Sequence, residues 1–372
     1  MTKVLVLHRR LSGYFIACLA RLLETGVSAK VVAWPNQKDA PFDAEVLSAL
    51  GFVANRSNFS DAELLKMALD FQPDAVLLAG WSDRGYVKVC KRLKAKDIPI
   101  IAGCDTQWKG SLRQYIACAL APWYVHKFID VLWVSGERQR QLANKLSYQG
   151  ARCWDGYYAC DWDFFSATGF RRLKQESEML EDEQHPEAKP LKSFAFVGRY
   201  APEKGLKTLA EAYKLYSQEV AEPWKLVCAG KGCCKSLILD AGAEDLGFIQ
   251  PEALPEFLAG AHAFILPSNF EPWGVVVQEA AASGLPMIVS DACGAGVHLL
   301  RDRWNGRSFA AGDPAHLADC LLWMHQQSDD RLIEMGARSM ELSKQYTPER
   351  WSQTFTSELL LMLSARKPSL LK

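Results

Sequence analysis

Seven residues separate two glutamates, Glu271 and Glu279, within PSNFEPWGVVVQEAAASGLPMIVSD, residues 267–291. Two carboxylates at that spacing can grip the two ends of one polar ligand. If a helix begins near Trp273 or Gly274, eight helical steps of about 1.5 Å put the two positions roughly 12 Å apart, the scale of a nucleotide sugar. Residues 264–266 read as the end of a buried strand. The loop at 267–272 therefore opens at a strand's carboxyl end, where α/β sheets bind ligands. The helix behind it adds free backbone N–H groups that favour a phosphate. Taken singly, Glu271 also reads as a charge complementing the helix dipole, and Glu279 as a solvated face residue.

A second group lies about 70 residues earlier, in FVGRYAPEKG at 196–205. Gly198 after a strand lets a ligand approach the backbone, and Arg199 and Lys204 can reach a diphosphate from the loop and the first helical turn. Such a pair can neutralise a pyrophosphate leaving group without a metal. The same segment alone also fits a helix entry with Lys204 as surface charge.

These residues need a scaffold, and the chain alternates strand-like and helical stretches throughout. Strands are predicted at 3–7, 29–33, 75–79, 98–102 and 131–134, with helices at 13–24, 61–70, 83–96 and 111–121, as in βα units feeding a parallel sheet. A second series follows, with strands at 194–197, 225–229, 263–266 and 287–289 and helices at 203–216 and 254–258. Between the two series, residues 168–190 turn polar and acidic, which predicts a linker or surface excursion. The expected division is 1–170 for the first domain, 171–190 for the linker, 191–347 for the second domain and 348–372 for a terminal helix able to pack back on the first.

Composition limits the alternatives. The 372 residues are 49% apolar, enough for two cores. Lys and Arg number 43, as do Asp and Glu, so no global field draws the chain to nucleic acid. Eleven cysteines without a regular framework favour free thiols in a reducing cytosol. The start, MTKVLVLHRRLSG, lacks the pattern of a signal peptide, and no run of 18 apolar residues predicts a membrane span. The pair Cys233 and Cys234 lacks zinc-site spacing. Asp161 and Asp163 have D-x-D spacing but fall in a presumed crossover, so no metal site is expected.

From Phe194 to Ala311 the chain resembles the retaining nucleotide-sugar glycosyltransferases of the GT-B fold, the E-x7-E group also called glycosyl transferases group 1. The resemblance rests on Arg199, Lys204, Glu271 and Glu279 in order, on Pro267-Ser268 before the motif, and on Ala280, Gly284 and Pro286 after it. Asp291, Cys293-Gly294-Ala295 and Asn305-Gly306 match later turns. It implies an α/β architecture of two Rossmann-like doubly wound domains facing across a cleft. It further implies that Arg199 and Lys204 bind the donor diphosphate, Glu271 contacts the transferred sugar and Glu279 the ribose. Trp273, Gly274 and Val275 would present backbone to the diphosphate and sugar, and Phe248 and Ile249 would meet the base.

The first 180 residues resemble the family only diffusely. Where relatives carry a glycine pair that closes over the donor, this chain has Gly13 after Arg9 and Arg10. Where many place a histidine near the donor sugar, it has Asp105, a catalytic candidate that also reads as a loop-capping carboxylate. The basic stretch 84–96 and the aromatic segment 121–128 together suit a lipid headgroup or anionic acceptor, as well as an ordinary solvated face.

The expected activity is transfer of a sugar from a UDP- or GDP-sugar to a hydroxyl of a polysaccharide, lipopolysaccharide or glycolipid, with retention and without metal or other cofactor. The expected place is the cytoplasm, including the inner face of the membrane. An epimerase or hydrolase on the same fold, and a non-catalytic nucleotide-sugar binding module, remain alternatives. Acid and base groups flanking the sugar would favour the first of these.

Overall fold

The structure, a computed structural model, describes residues 1–35, 53–181 and 191–366. The chain forms two compact units, Met1–Ala159 with the segment from Pro348 onward, and Cys160–Thr347.

In the first unit β1 (Lys3–His8), α1 (Gly13–Glu24), β2 (Ser28–Ala33), β3 (Val53–Asn55), α2 (Asp61–Phe71), β4 (Ala75–Leu78), α3 (Arg84–Lys94) and β5 (Ile100–Cys104) follow one another. They are succeeded by α4 (Leu112–Leu120), β6 (Val131–Val134), α5 (Glu137–Lys145) and β7 (Cys153–Asp155). The seven strands are parallel in the order β3-β2-β1-β4-β5-β6-β7. Alternation along β1 shows why both faces must be covered. Val4 and Val6 pack with Phe15, Leu19 and Leu22 of α1, whereas Leu5 and Leu7 join Leu64 of α2 and Val89 and Leu93 of α3 on the opposite side. Helix starts are fixed by side chains: Ser60 and Glu63 form a capping box on α2, and Asp83 accepts the Tyr86 N–H at the start of α3.

The second unit contains α6 (Trp162–Glu181), β8 (Ser193–Val197), α7 (Leu206–Glu219), β9 (Lys225–Ala229), α8 (Lys235–Leu239), β10 (Glu244–Asp245), α9 (Leu254–Ala259) and β11 (Ala263–Leu266). It continues with α10 (Val275–Ala282), β12 (Met287–Ser290), α11 (Gly296–Leu299), β13 (Gly306–Phe309), α12 (Pro314–His325) and α13 (Asp329–Ser343). Its six parallel strands run in the order β10-β9-β8-β11-β12-β13. The reversal of order between β8 and β11 brings the loops after these strands to one edge of the sheet, the topological switch point where such sheets bind ligands.

The last helix, α14 (Pro348–Ala365), packs on the first unit beside α1. Trp351 stacks on Trp133 with ring centroids 4.7 Å apart, and its indole N–H donates to the Tyr157 carbonyl at 2.8 Å.

One boundary differs from the sequence reading. The stretch 171–190, expected as a polar linker or surface excursion, is helical through Glu181, and the division between units falls at Cys160 rather than near residue 170. The reason lies in Arg172. Its guanidinium is buried, donates to the carbonyls of Gly284 and Ala261 and pairs with Glu176 at 2.9 Å, which ties α6 to the second unit. Exposed i,i+4 charges such as Lys174 and Glu178 give the same helix its linker-like composition. The rest of the acidic run, 182–190, lies outside the described residues, as does 367–372.

Candidate functional site

Of the residues singled out, those at 202–205 and 267–271 meet at the carboxyl edge of the second sheet. A short 3-10 turn, Pro202–Lys204, docks on the loop after β11: Asn269 donates from its backbone N–H to the Glu203 carbonyl at 2.9 Å and from its side chain to that of Pro202 at 3.2 Å. Gly205 makes this docking possible. Its φ is +70°, and a Cβ there would collide with the Pro267 carbonyl oxygen.

The docked turn brings Lys204 to Glu271, and the ammonium pairs with carboxylate oxygen Oε2. Ser268 Oγ donates to the same oxygen at 3.3 Å. The Glu271 side chain is mostly buried, and its backbone carbonyl accepts the Gly294 N–H at 3.0 Å, so the carboxylate is held between two strand-end loops. Arg199 lies near the same edge but is exposed and pairs with Glu203 at 2.7 Å. Both cations thus have a carboxylate partner. Glu203 is legible from its i,i+4 spacing to Arg199, whereas Lys204 and Glu271 meet only through the fold.

Helix α10 starts at Gly274, whose φ of +96° suits glycine, and Val275 opens its first turn. Trp273 is buried, and its carbonyl accepts from Cys293 Sγ at 3.0 Å and from the Ala295 N–H at 2.9 Å. Trp273 therefore braces the loop. Its indole nitrogen has no hydrogen-bond partner among the described residues.

Glu279 departs from the solvated-face reading. Its side chain is only partly exposed, and burial pushes its carboxyl up to about 7. Among the described residues no cation or hydrogen-bond donor meets that carboxylate. A partly desolvated acid with no protein partner, on the helix that follows the β11 loop, is chemically suited to accept hydroxyl donors.

The loops after β9 and β10 extend this edge. Gly198 donates to the Ala229 carbonyl at 3.0 Å, and Tyr200 donates to the Lys231 carbonyl at 2.7 Å, placing the Gly198 loop beside Gly230-Lys231-Gly232. Gly230 in turn donates to the Gly247 carbonyl at 2.7 Å, next to Phe248 and the half-buried Ile249. The Lys231 ammonium sits 5.8 Å from the Phe248 ring centre, and Lys235 pairs with Asp245 at 2.5 Å. Sequence reasoning missed Ser268, Lys231 and Lys235. The Gly-Lys-Gly spacing directly after a predicted strand was the available signal for Lys231; Ser268 was noted only as a motif neighbour.

The first-unit candidates lie on their own sheet. Gly13 is the first residue of α1 and has ordinary helical backbone, so the loop there uses no left-handed glycine. Asp105 follows β5, is exposed, and accepts the Tyr158 hydroxyl at 3.2 Å. Its carboxylate caps no helix among the described residues. Arg9 and Arg10 line a cavity of about 370 Å³ with Trp34, Gly80, Asp83 and Tyr86, at the carboxyl ends of β1, β2 and β4. Among the described residues, no three His, Cys, Asp or Glu side chains gather as a metal-binding group. Nor is any described helix long and apolar enough to cross a membrane.

Two parallel doubly wound units, the second with cations and carboxylates gathered at its switch point, define the GT-B class of α/β proteins. A solved structure of this fold, the Anabaena protein HepE in complex with UDP and glucose, superposes with a TM-score of 0.73 at 15% identity, covering 98% of this chain and 100% of that one. Residues 178–338 match the family described as "Glycosyl transferases group 1".

Among curated relatives, the chain is 29% identical over 171 residues to an uncharacterized glycosyltransferase of Methanocaldococcus jannaschii. It is 30% identical over 158 residues to the phosphatidyl-myo-inositol mannosyltransferase of Mycobacterium leprae. These alignments cover 44% and 40% of this chain, and it spans only 40% and 42% of the relatives' own lengths.

Proposed function

We propose that the protein is a retaining glycosyltransferase that moves a hexose from a UDP- or GDP-sugar to a hydroxyl acceptor on a polysaccharide, lipopolysaccharide or glycolipid. The observation that carries this reading is the convergence of Lys204 and Glu271 on one sheet edge, with Arg199 and the partnerless Glu279 on the elements that flank them. The fold's occurrence with UDP and glucose in the Anabaena protein supports this donor class, and the mannosyltransferase relative supports hexose transfer.

In this scheme Arg199 and Lys204 bind the donor diphosphate, and N–H groups of the first turn of α10 add to that binding. The bond from the anomeric carbon to the β-phosphate oxygen breaks as the acceptor oxygen bonds to the same carbon on the same face. The two cations stabilise the charge that grows on the departing diphosphate. The acceptor proton passes to a leaving phosphate oxygen, so no protein nucleophile is required. Lys204 turns partly from Glu271 toward phosphate, which frees the carboxylate to orient a sugar hydroxyl. Glu279 accepts from the ribose, and the Phe248–Ile249 stretch meets the base.

Because side-chain cations meet the diphosphate in this scheme, turnover persists after treatment with a chelator. Loss of activity restored by Mn²⁺ or Mg²⁺ contradicts that part. The activity itself is tested by incubating the protein with a panel of UDP- and GDP-sugars and an acceptor extract. Sugar on the acceptor, with the anomeric configuration of the donor, is the expected product. Isomerised donor, free sugar alone, or binding without turnover would each overturn the transferase reading in favour of an epimerase, a hydrolase or a binding module.

A further inference from the structure

Helix α4 is inside out. None of its nine residues is buried, and its inward-facing positions are Gln114 and Cys118, four residues apart. Gln114 ties the helix down: its side-chain amide donates to the Gln107 carbonyl at 2.9 Å and its oxygen accepts the Lys109 N–H at 2.7 Å. The apolar side chains face out. Leu112, Ile116 and Leu120 recur every fourth residue as one exposed stripe, Leu112 with 76% of its surface accessible. Tyr115 is exposed beside them, and Trp123 and Tyr124 continue the apolar surface in the following 3-10 turns, Trp123 at 67%. So concentrated an exposed patch calls for a covering partner.

The charge around the stripe identifies that partner. From Thr106 to Ile129 the chain contains no Asp or Glu, while Lys109, Arg113 and Lys127 are exposed along it. Lys91 of the basic helix α3 joins them, its ammonium 5.5 Å from the Tyr124 ring centre and 5.7 Å from that of Phe128. An apolar stripe edged by Trp, Tyr and cations, with no acid in the segment, complements an anionic lipid surface. The aliphatic residues enter the headgroup boundary, the aromatic rings lie at its polar level, and the cations meet lipid phosphates.

We propose that α4 and the adjoining turn through Tyr124 dock the protein peripherally on an anionic bilayer. This places a membrane partner on the first unit and stands independently of the donor reading, which concerns the second. The helix is already ordered through Gln114, so docking does not have to fold it and loses less conformational entropy than a disordered anchor.

The test is flotation of the full chain with vesicles of phosphatidylcholine alone and of phosphatidylcholine mixed with phosphatidylglycerol. The protein is expected to rise with the anionic vesicles, at least about tenfold more than with the neutral ones, and to be released by high salt. The double variant Ile116→Glu/Leu120→Glu, at two exposed positions, should abolish flotation while its circular dichroism and melting temperature match the wild type. The triple variant Lys109→Gln/Arg113→Gln/Lys127→Gln provides a second, charge-only readout in which the apolar stripe is intact. Wild-type protein left unfloated by anionic vesicles overturns the proposal, as do variants that float equally well. A concentration-dependent dimer abolished by the Glu substitutions, without vesicle binding, assigns the stripe to a second copy of the chain and overturns it too. Donor binding measured on the same variants should stay at the wild-type level; its loss alongside flotation would contradict the independence of the two sites.

Discussion

Lys204 and Glu271, 67 positions apart in the sequence, close an ion pair at the carboxyl edge of the second sheet, with 15% and 12% of their side-chain surface exposed. The pair joins the turn after β8 to the loop after β11 and also holds two groups of the proposed donor site. Removing one partner leaves the other charge largely desolvated, so Lys204→Ala is expected to cost roughly 1–3 kcal/mol in stability. Glu271→Gln in that background removes the stranded charge while keeping an acceptor for Ser268, and should recover part of the loss. Urea denaturation of the wild type, both single variants and the double variant measures this coupling. Strictly additive effects would show that the pair contributes no coupling.

Glu279 makes a prediction with a definite sign in pH. Its folded-state pKa of about 7 lies above the ordinary carboxyl value of 4.5, so between these values the folded state holds more protons than the unfolded one. Stability therefore falls as pH rises across that window, by a few kcal/mol at most at roughly 1.4 kcal/mol per unit, and by less because the side chain keeps some solvent contact. Glu279→Gln should flatten this slope and be the more stable protein above pH 7. Ribose hydroxyls donating to the ionised carboxylate reverse the preference, so nucleotide affinity should strengthen from pH 6 to pH 8 in the wild type and lose that trend in the Gln variant. Parallel pH profiles of unfolding and binding that do not differ between the two proteins contradict the assignment.

Gly205 is expected to tolerate no side chain. Its left-handed backbone and the Pro267 carbonyl both oppose a Cβ, and relief of that clash must lift the Lys204 turn off the Asn269 loop. Gly205→Ala should cost about 1–3 kcal/mol and weaken nucleotide binding together with stability. Wild-type denaturation midpoints in this variant would mean that the turn moves without consequence.

Much of this was legible in the chain because it depends on local pattern. The alternation of apolar runs with helical stretches yields two parallel sheets, and the start of α10 at Gly274–Val275 falls beside the expected position. Helix α6 was hidden because its burial depends on Arg172, a residue whose sequence context is that of a solvated helix face, reaching carbonyls 89 and 112 positions away. The state of Glu279 was hidden for a related reason: desolvation is set by whatever packs around a carboxyl, and neighbouring residue types do not report it. In α4 the apolar spacing is visible, but periodicity cannot tell which face of a helix turns inward.

Binding of a nucleoside diphosphate to wild type and Arg199→Ala tests the account most directly, because Arg199 sits in an exposed i,i+4 pair with Glu203 and its loss should leave the fold intact. Isothermal titration with UDP and with GDP should find one nucleotide bound by the wild type. The variant should bind it about ten- to a hundredfold more weakly, the equivalent of a charge-assisted contact of about 1.5–3 kcal/mol, with an unchanged melting temperature. Equal dissociation constants in the two proteins, or no binding of either nucleotide to the wild type, would contradict the proposed diphosphate site.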